Sequence, residues 1–334
     1  MISMLLIVSA HFVGQGVFDS SHVNDLPMLN HIFLQILPSF GKPSCVVFFM
    51  ITGYFQLQKN FKWQSVVKLL TQILVTSLVI GIIAVVFFQQ PLTIIDILKS
   101  PQYWFANTYI AIIILSPWLN QLLLSLNQNQ FLKLIITGTF LFLVFPFFRF
   151  NLGSGTIGIY LVSYMLGAYF RKYPDTIPDK WIKIIQVVVL PLPIFVALAS
   201  EIVRIVFGSD RFNGKFWSEQ SIADLLYGIA LFTLVWRIKP FVNRGINFLA
   251  SLTFGVYLVH VNRLSIPLIW HKILKVDKVA LHLNFIQLLG YSIGIILLVY
   301  LASSLCDFCL RPIYQRLAAL LNRFIARLLP SNRF

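Results

Sequence analysis

The sequence predicts an all-α polytopic membrane protein of about ten transmembrane helices, with no soluble domain. Three observations carry this. Hydrophobic residues make up 58% of the 334 and charged residues only 11%, against roughly 25% charged in soluble domains. The mean hydropathy is +0.83. Apolar runs of about 20 residues, the length that crosses a hydrocarbon core, recur along the whole chain. These figures exclude soluble enzymes, nucleic-acid-binding modules and disordered chains. The excess of 26 Lys and Arg over 11 Asp and Glu then reads as topology, because cytoplasmic loops retain basic residues.

Breaks at Pro, Gly, Asn and charge divide the apolar sequence into ten spans, near 1–18, 38–57, 66–89, 103–125, 131–150, 156–171, 181–207, 219–238, 246–265 and 284–310. The first opens on Met-Ile-Ser-Met-Leu-Leu, with neither the basic start nor the small-residue cleavage site of a signal peptide. The fourth opens on Tyr103-Trp104-Phe105, a pattern usual for interfacial belts. The longest polar gaps are 19–37 and 266–283. With the N-terminus in the cytoplasm, most basic residues fall inside, including Lys59, Lys62, Lys68, Arg171, Lys172, Arg237 and Lys239; Lys272, Lys275 and Lys278 share one outer loop. An even number of spans returns the C-terminus to the cytoplasm. Residues 311–334 are too short and too charged to span. Arg316, Arg323 and Arg327 share one helical face there, and Leu317, Leu320, Leu321, Phe324 and Leu328 share another. That pattern suits a basic amphipathic tail on the inner leaflet, so membrane lipids are its expected partners.

Ionisable residues inside spans are costly and point to function. His11 lies within the first span, where it is either a chemical group or a histidine capping a carbonyl or lining a water pocket. The second span pairs bulky Phe48 and Phe49 with Thr52 and Gly53, a combination that lets another helix or a ligand approach closely. Lys59 and Lys62, three apart, are expected on one helical face, where two ammonium groups suit the phosphates of a nucleotide-like cofactor or simply mark the cytoplasmic side. Glu201 and Arg204, three apart, read as a structural pair. Arg149 closes the fifth span, Asp224 lies early in the eighth, and His260 ends Gly-Val-Tyr-Leu-Val-His in the ninth. Cys45, Cys306 and Cys309 carry no redox or zinc pattern, and no metal is expected.

In their order and spacing, these segments resemble the acyltransferase-3 family, membrane enzymes that O-acylate cell-surface and secreted sugars. The matching features are the apolar first helix leading to His11, Phe48-Phe49-Met-Ile-Thr52-Gly53-Tyr54, Tyr103-Trp104-Phe105, the Tyr-Met-Leu-Gly-Ala-Tyr-Phe-Arg segment ending at Arg171, and the late Gly-Val-Tyr-Leu-Val-His260. The likeness covers residues 1–310 as one transmembrane domain. It implies an acyl group, acetyl being the expected one, taken from acyl-CoA at the cytoplasmic side and passed to a glycan hydroxyl at the outer face of the plasma membrane.

On the family pattern His11 is the catalytic base. Lys59 and Lys62 hold the coenzyme A phosphates, and Phe48, Phe49, Thr52 and Gly53 line the helix face beside His11. Two departures stand out. The family's basic residue, ten residues ahead of the histidine, would fall just upstream of Met1, which favours a start assigned too late. The family's Arg-x-x-Arg is Lys59-x-x-Lys62 here, which supplies charge without the bidentate fork. The rival reading is a transporter of lipid-linked sugar or polysaccharide.

Overall fold

A chain surrounded by lipid must satisfy its backbone N–H and C=O groups internally, which favours helices. The computed structural model describes residues 1–17, 26–148, 157–208, 211–217, 221–239 and 241–328, and among these every regular element is helical. Arg149 and the tail beyond 328 lie outside the described residues. In chain order the helices are α1 Ile2–Val17 and α2 Met28–Gln56, α3 Trp63–Phe88, α4 Ile94–Lys99, α5 Trp104–Ser125 and α6 Gln128–Val144. They continue with α7 Ile157–Lys172, α8 Asp179–Phe207, α9 Arg211–Phe216, α10 Ile222–Trp236, α11 Arg244–Ser251, α12 Thr253–His260 and α13 Phe285–Leu328. Five of them, α2, α3, α5, α8 and α13, are long and apolar enough to cross a membrane; α1, α6 and α10 are shorter apolar helices.

Four expectations need correction. First, α2 begins at Met28, ten residues ahead of the expected edge, because Asn30, His31 and Gln35 are buried inside the bundle rather than solvated in a loop. Pro38 does not stop this helix. The backbone tightens to a 3₁₀ turn over Leu37–Phe40 and places Pro38 near its start, where a missing N–H costs least. Second, Lys59 and Lys62 share no helical face; both lie exposed on the loop between α2 and α3. Third, the expected ninth span is two helices, α11 and α12, that meet at Leu252 and end at His260. Fourth, the tail is not a separate helix. α13 is unbroken for 44 residues through Pro312, about 66 Å at 1.5 Å per residue, whereas a hydrocarbon core is about 30 Å thick.

α2 is the central post. It packs on α1, α7 and α10, and glycines set the distance at each contact. A Cβ on Gly53 would overlap the backbone carbonyl of Tyr164 in α7, and one on Gly167 of α7 would overlap the carbonyl of Met50. Gly228 of α10 faces the Val46 side chain, and Gly41 faces the methyl group of Ala10 in α1. Lipid tails give apolar helices no reason to leave lipid for one another, so close backbone approach through small residues is what holds such helices together. Gly53, read in the sequence as a place where a helix or a ligand comes near, is occupied by a helix.

This crossing should be sensitive to a single added side chain. Gly53→Val should cost about 1–3 kcal/mol through overpacking and lower the Tm of the purified protein. Gly290→Ala in α13, where nothing approaches within 4 Å, should hold or raise the Tm, since Ala exceeds Gly in helix preference by about 1 kcal/mol. Equal behaviour of the two variants would contradict the tight α2–α7 contact.

Candidate active site

His11 ends the α-helical part of α1, and the six residues that follow, Phe12–Val17, wind as a π-helix. Such widened turns recur at functional sites. Phe12 and Gly16 lock this segment: Phe12 is fully buried against the edges of Trp270 and Tyr291, and Gly16 faces Val276 and Trp270. The result is a half-buried imidazole held by a rigid wall.

Its partner comes from 249 residues away. His11 Nδ1 lies 2.9 Å from Nε2 of His260, the last residue of α12, with the ring centroids 5.1 Å apart. His260 Nδ1 lies 2.6 Å from the carbonyl oxygen of Val256. A carbonyl only accepts, so His260 carries its proton on Nδ1 and offers the lone pair of Nε2. His11 must then donate through Nδ1–H, which leaves its Nε2 as the open lone pair. That nitrogen has no hydrogen-bond partner among the described residues. The chain Val256–His260–His11 therefore presents one proton-accepting atom in a fixed direction. This is the logic by which a base is oriented by a third group in hydrolytic triads.

The end of α12 is held as firmly as the ring it carries. The last carbonyls of a helix lack partners within it, and here three of them find one. Tyr257 accepts from the Val261 amide at 3.2 Å, Leu258 accepts from the Tyr103 hydroxyl at 2.8 Å, and Val259 accepts from the Ser265 hydroxyl. Asn262, fully buried, donates to Tyr103 Oη at 2.7 Å and accepts from the Leu264 amide at 2.9 Å. Tyr103 is thus no interfacial belt residue; it is 1% exposed and clamps the His260 helix. At the other end of α12, a Cβ on Gly255 would overlap the Asp307 carboxyl, which accepts from Gln72 Nε2 at 2.7 Å.

Aromatic rings line the approach from α2. Phe105 packs on Tyr257 with centroids 5.1 Å apart, and Tyr257 meets His260 edge-on at 6.4 Å. Phe49 contacts Phe105 and stacks on Tyr160 at 4.5 Å; Tyr160 in turn stacks on Trp104 at 5.8 Å. Over the Trp104 ring sits the Lys42 ammonium, 4.3 Å from its centroid, a cation–π contact that holds a charge inside an aromatic wall. Gly41, the neighbour of Lys42, is the residue of α2 that meets Ala10, the neighbour of His11.

The structure joins His11 with His260, two candidates that the sequence treated separately, and adds Lys42, whose position ahead of an apolar run carried no signal. Phe48 packs on Phe105 at 5.8 Å, and the Thr52 hydroxyl donates to its own helix at Phe48 O, 2.7 Å away. Phe48 to Gly53 lie about 9–16 Å further along α2 than Lys42, so it is the first turn of the α-helical stretch, not this segment, that adjoins His11. Asp224 is fully buried in the first turn of α10. Glu201 pairs with Arg204 as expected, at 2.5 Å. The cysteines form no disulfide, and no cluster suited to a metal occurs among the described residues.

A family model described as an acyltransferase domain matches residues 1–304. No curated protein and no solved structure matches the chain.

The tautomers follow from the geometry and are open to test. In the full-length protein labelled with ¹⁵N-histidine at neutral pH, both His11 and His260 should carry the proton on Nδ1. A His260 resonance protonated at Nε2 would break the chain of donors and acceptors described above.

Proposed function

The chain belongs to the acyltransferase-3 family, and from that membership we propose that it moves an acyl group, acetyl, from acyl-CoA to a hydroxyl of a surface polysaccharide or lipid-linked glycan. It is an acyltransferase of the kind that transfers groups other than amino-acyl groups. The observation that supports the chemistry is the open Nε2 of His11, aimed by His260.

An alcohol is a weak nucleophile until its proton leaves. His11 Nε2 takes that proton as the sugar oxygen attacks the thioester carbonyl, and the C–O bond forms. The imidazolium so produced is stabilised through its Nδ1–H bond to His260, which gains strength once the donor is charged. The tetrahedral intermediate collapses with loss of the C–S bond, and the departing sulfur takes the proton back from His11. Lys42, near His11 and fixed over Trp104, supplies positive charge for the negative oxygen of the intermediate. Lys59 and Lys62, on the exposed loop after α2, hold the phosphates of coenzyme A at the cytoplasmic face. From them α2, with Phe48, Phe49, Thr52 and Gly53, leads toward His11. In this reading the chain crosses the plasma membrane ten times, with both termini in the cytoplasm.

Replacing His11 tests the central step. His11→Asn keeps size and polarity but cannot accept a proton near neutral pH. The variant should fold as the wild type does and lose at least about 10²-fold in acyl transfer, the low end for acid–base catalysis. The loss should fall on kcat, since the proton moves only in the transition state. A well-folded variant that keeps most of its acyl-CoA-dependent turnover would sink the mechanism.

The donor site has its own signature. Replacing Lys59 and Lys62 together with Ala should raise the KM for acyl-CoA and leave kcat nearly unchanged, as loss of uniform binding requires. An unaltered KM would return both lysines to the role of topological charges.

A further inference from the structure

The end of α2 that leads to Lys59 and Lys62 receives a further cation, supplied by α7. The contacts of these two helices advance together along the chain. Phe49 stacks on Tyr160, Gly53 and Gly167 fix the crossing, and Arg171, in the last turn of α7, reaches the end of α2. Its guanidinium carbon lies 5.3 Å from the centroid of the Tyr54 ring, and its Nη2 donates to Gln58 Oε1 at 3.3 Å. Lys59 takes the next ring: its ammonium lies 5.9 Å from the Phe55 centroid. The two rings meet edge to face, 5.1 Å apart. Two positive charges are thus seated on neighbouring rings.

No anion of the protein answers either charge. Arg171 and Lys59 are both exposed, and no carboxylate pairs with them among the described residues. A guanidinium carries five N–H groups in a fixed fork, and Arg171 spends a single one of them, on Gln58. Stability does not explain the seating. An exposed cation–π contact returns about 0.5–1 kcal/mol, which the lost rotamer freedom of such a long side chain offsets. What the contacts with Tyr54 and Gln58 do secure is the position of the fork.

A planar fork held in place suits an anion whose oxygens accept two parallel hydrogen bonds, and phosphate is one. Lys59 and Lys62 offer point charges alone. The same loop adds Phe61, and Trp63 opens α3 beside it. Their rings stand 5.0 Å apart and Trp63 is 51% exposed, a surface of the kind on which a nucleobase stacks. A ligand that joins phosphates to an aromatic base matches both features, whereas a lipid headgroup matches the charge alone.

We propose that Arg171 grips a phosphate of the acyl donor's nucleotide and, with Lys59, forms the fixed part of the donor site. The identity of that nucleotide as coenzyme A rests on the acyl-transfer reading above. The tight crossing of α2 and α7 then has a purpose beyond packing, since it sets the distance from which the guanidinium reaches Tyr54 and Gln58.

Titration calorimetry of the full-length protein in detergent with free coenzyme A, without acceptor, tests the assignment. Arg171→Lys keeps the charge and removes the fork. The wild type should bind coenzyme A saturably. Arg171→Lys should bind it about tenfold more weakly per folded molecule, the effect of about 1.4 kcal/mol, with its Tm unchanged. Equal affinity in Arg171→Lys would overturn the assignment. Titrating the Lys59 and Lys62 double Ala variant alongside keeps the two readings apart. Affinity lost there but kept in Arg171→Lys leaves the donor site standing without Arg171, and a wild type that binds no coenzyme A removes both. Phosphatidylglycerol in mixed micelles supplies the competing arm. A rise in Tm with that lipid, absent in Arg171→Lys while coenzyme A affinity is unchanged, would assign the guanidinium to a lipid headgroup instead.

Discussion

The hydrogen bond between His11 and His260 is the constraint on which the rest of the site depends. It joins the first helix to the twelfth, 249 residues on, and it fixes which nitrogen faces outward only if three further conditions hold. The Val256 carbonyl must stay within reach of His260 Nδ1, the end of α12 must not fray, and α1 must not rotate. Tyr103 and Ser265 meet the second condition by taking up carbonyls that would otherwise be left bare. The π-helical turn and the buried Phe12 meet the third. A single imidazole is thereby supported by residues from four separate stretches of chain.

Close packing around α2 serves the same end. Where lipid surrounds the helices, no hydrophobic gain drives them together, so contact must come from shape. Reciprocal overlap positions, Gly53 on Tyr164 and Gly167 on Met50, let the backbones of α2 and α7 touch. The aromatic residues flanking those glycines, Phe49 and Tyr160 among them, then stack into a continuous wall. Bulk beside a small residue is therefore one device with two parts: the glycine sets the distance and the ring fills what is left.

Much of this was legible in the sequence, and what was not has physical causes. Composition and apolar run length gave the helical membrane class, and His11 and His260 stood out because an ionisable group in an apolar run has no packing use. Their pairing was hidden, since neither flanking sequence encodes a distance to the other. The start of α2 was misread because Asn30, His31 and Gln35 look like loop residues until their burial is known. Tyr103 was misread for the converse reason: an aromatic residue at a span end is usually interfacial, but this one turns inward to a carbonyl. Lys42 gave no signal at all, because a lysine just ahead of an apolar run is ordinary and only the Trp104 ring beneath it makes it unusual. The break at Leu252 lies between Ser251 and Thr253, hydroxyl residues that occur inside many membrane helices, so composition could not show it.

One helix orders the proposed reaction in space. α2 runs Met28–Gln56, about 43 Å at 1.5 Å per residue, and its residues fall in a sequence that matches the path of an acyl group. Lys59 and Lys62 follow its last turn, Phe49 and its stacked partners lie midway, Lys42 and Gly41 stand beside His11, and His31 faces Glu201 near its beginning. A donor bound by its phosphates at the loop after α2 would approach the imidazole along this helix. His31 stands eleven residues ahead of Lys42 on this helix, about 16 Å along its axis, and Arg204 closes on the Glu201 carboxylate beside it, so that charge is balanced where it lies rather than at the imidazole of His11.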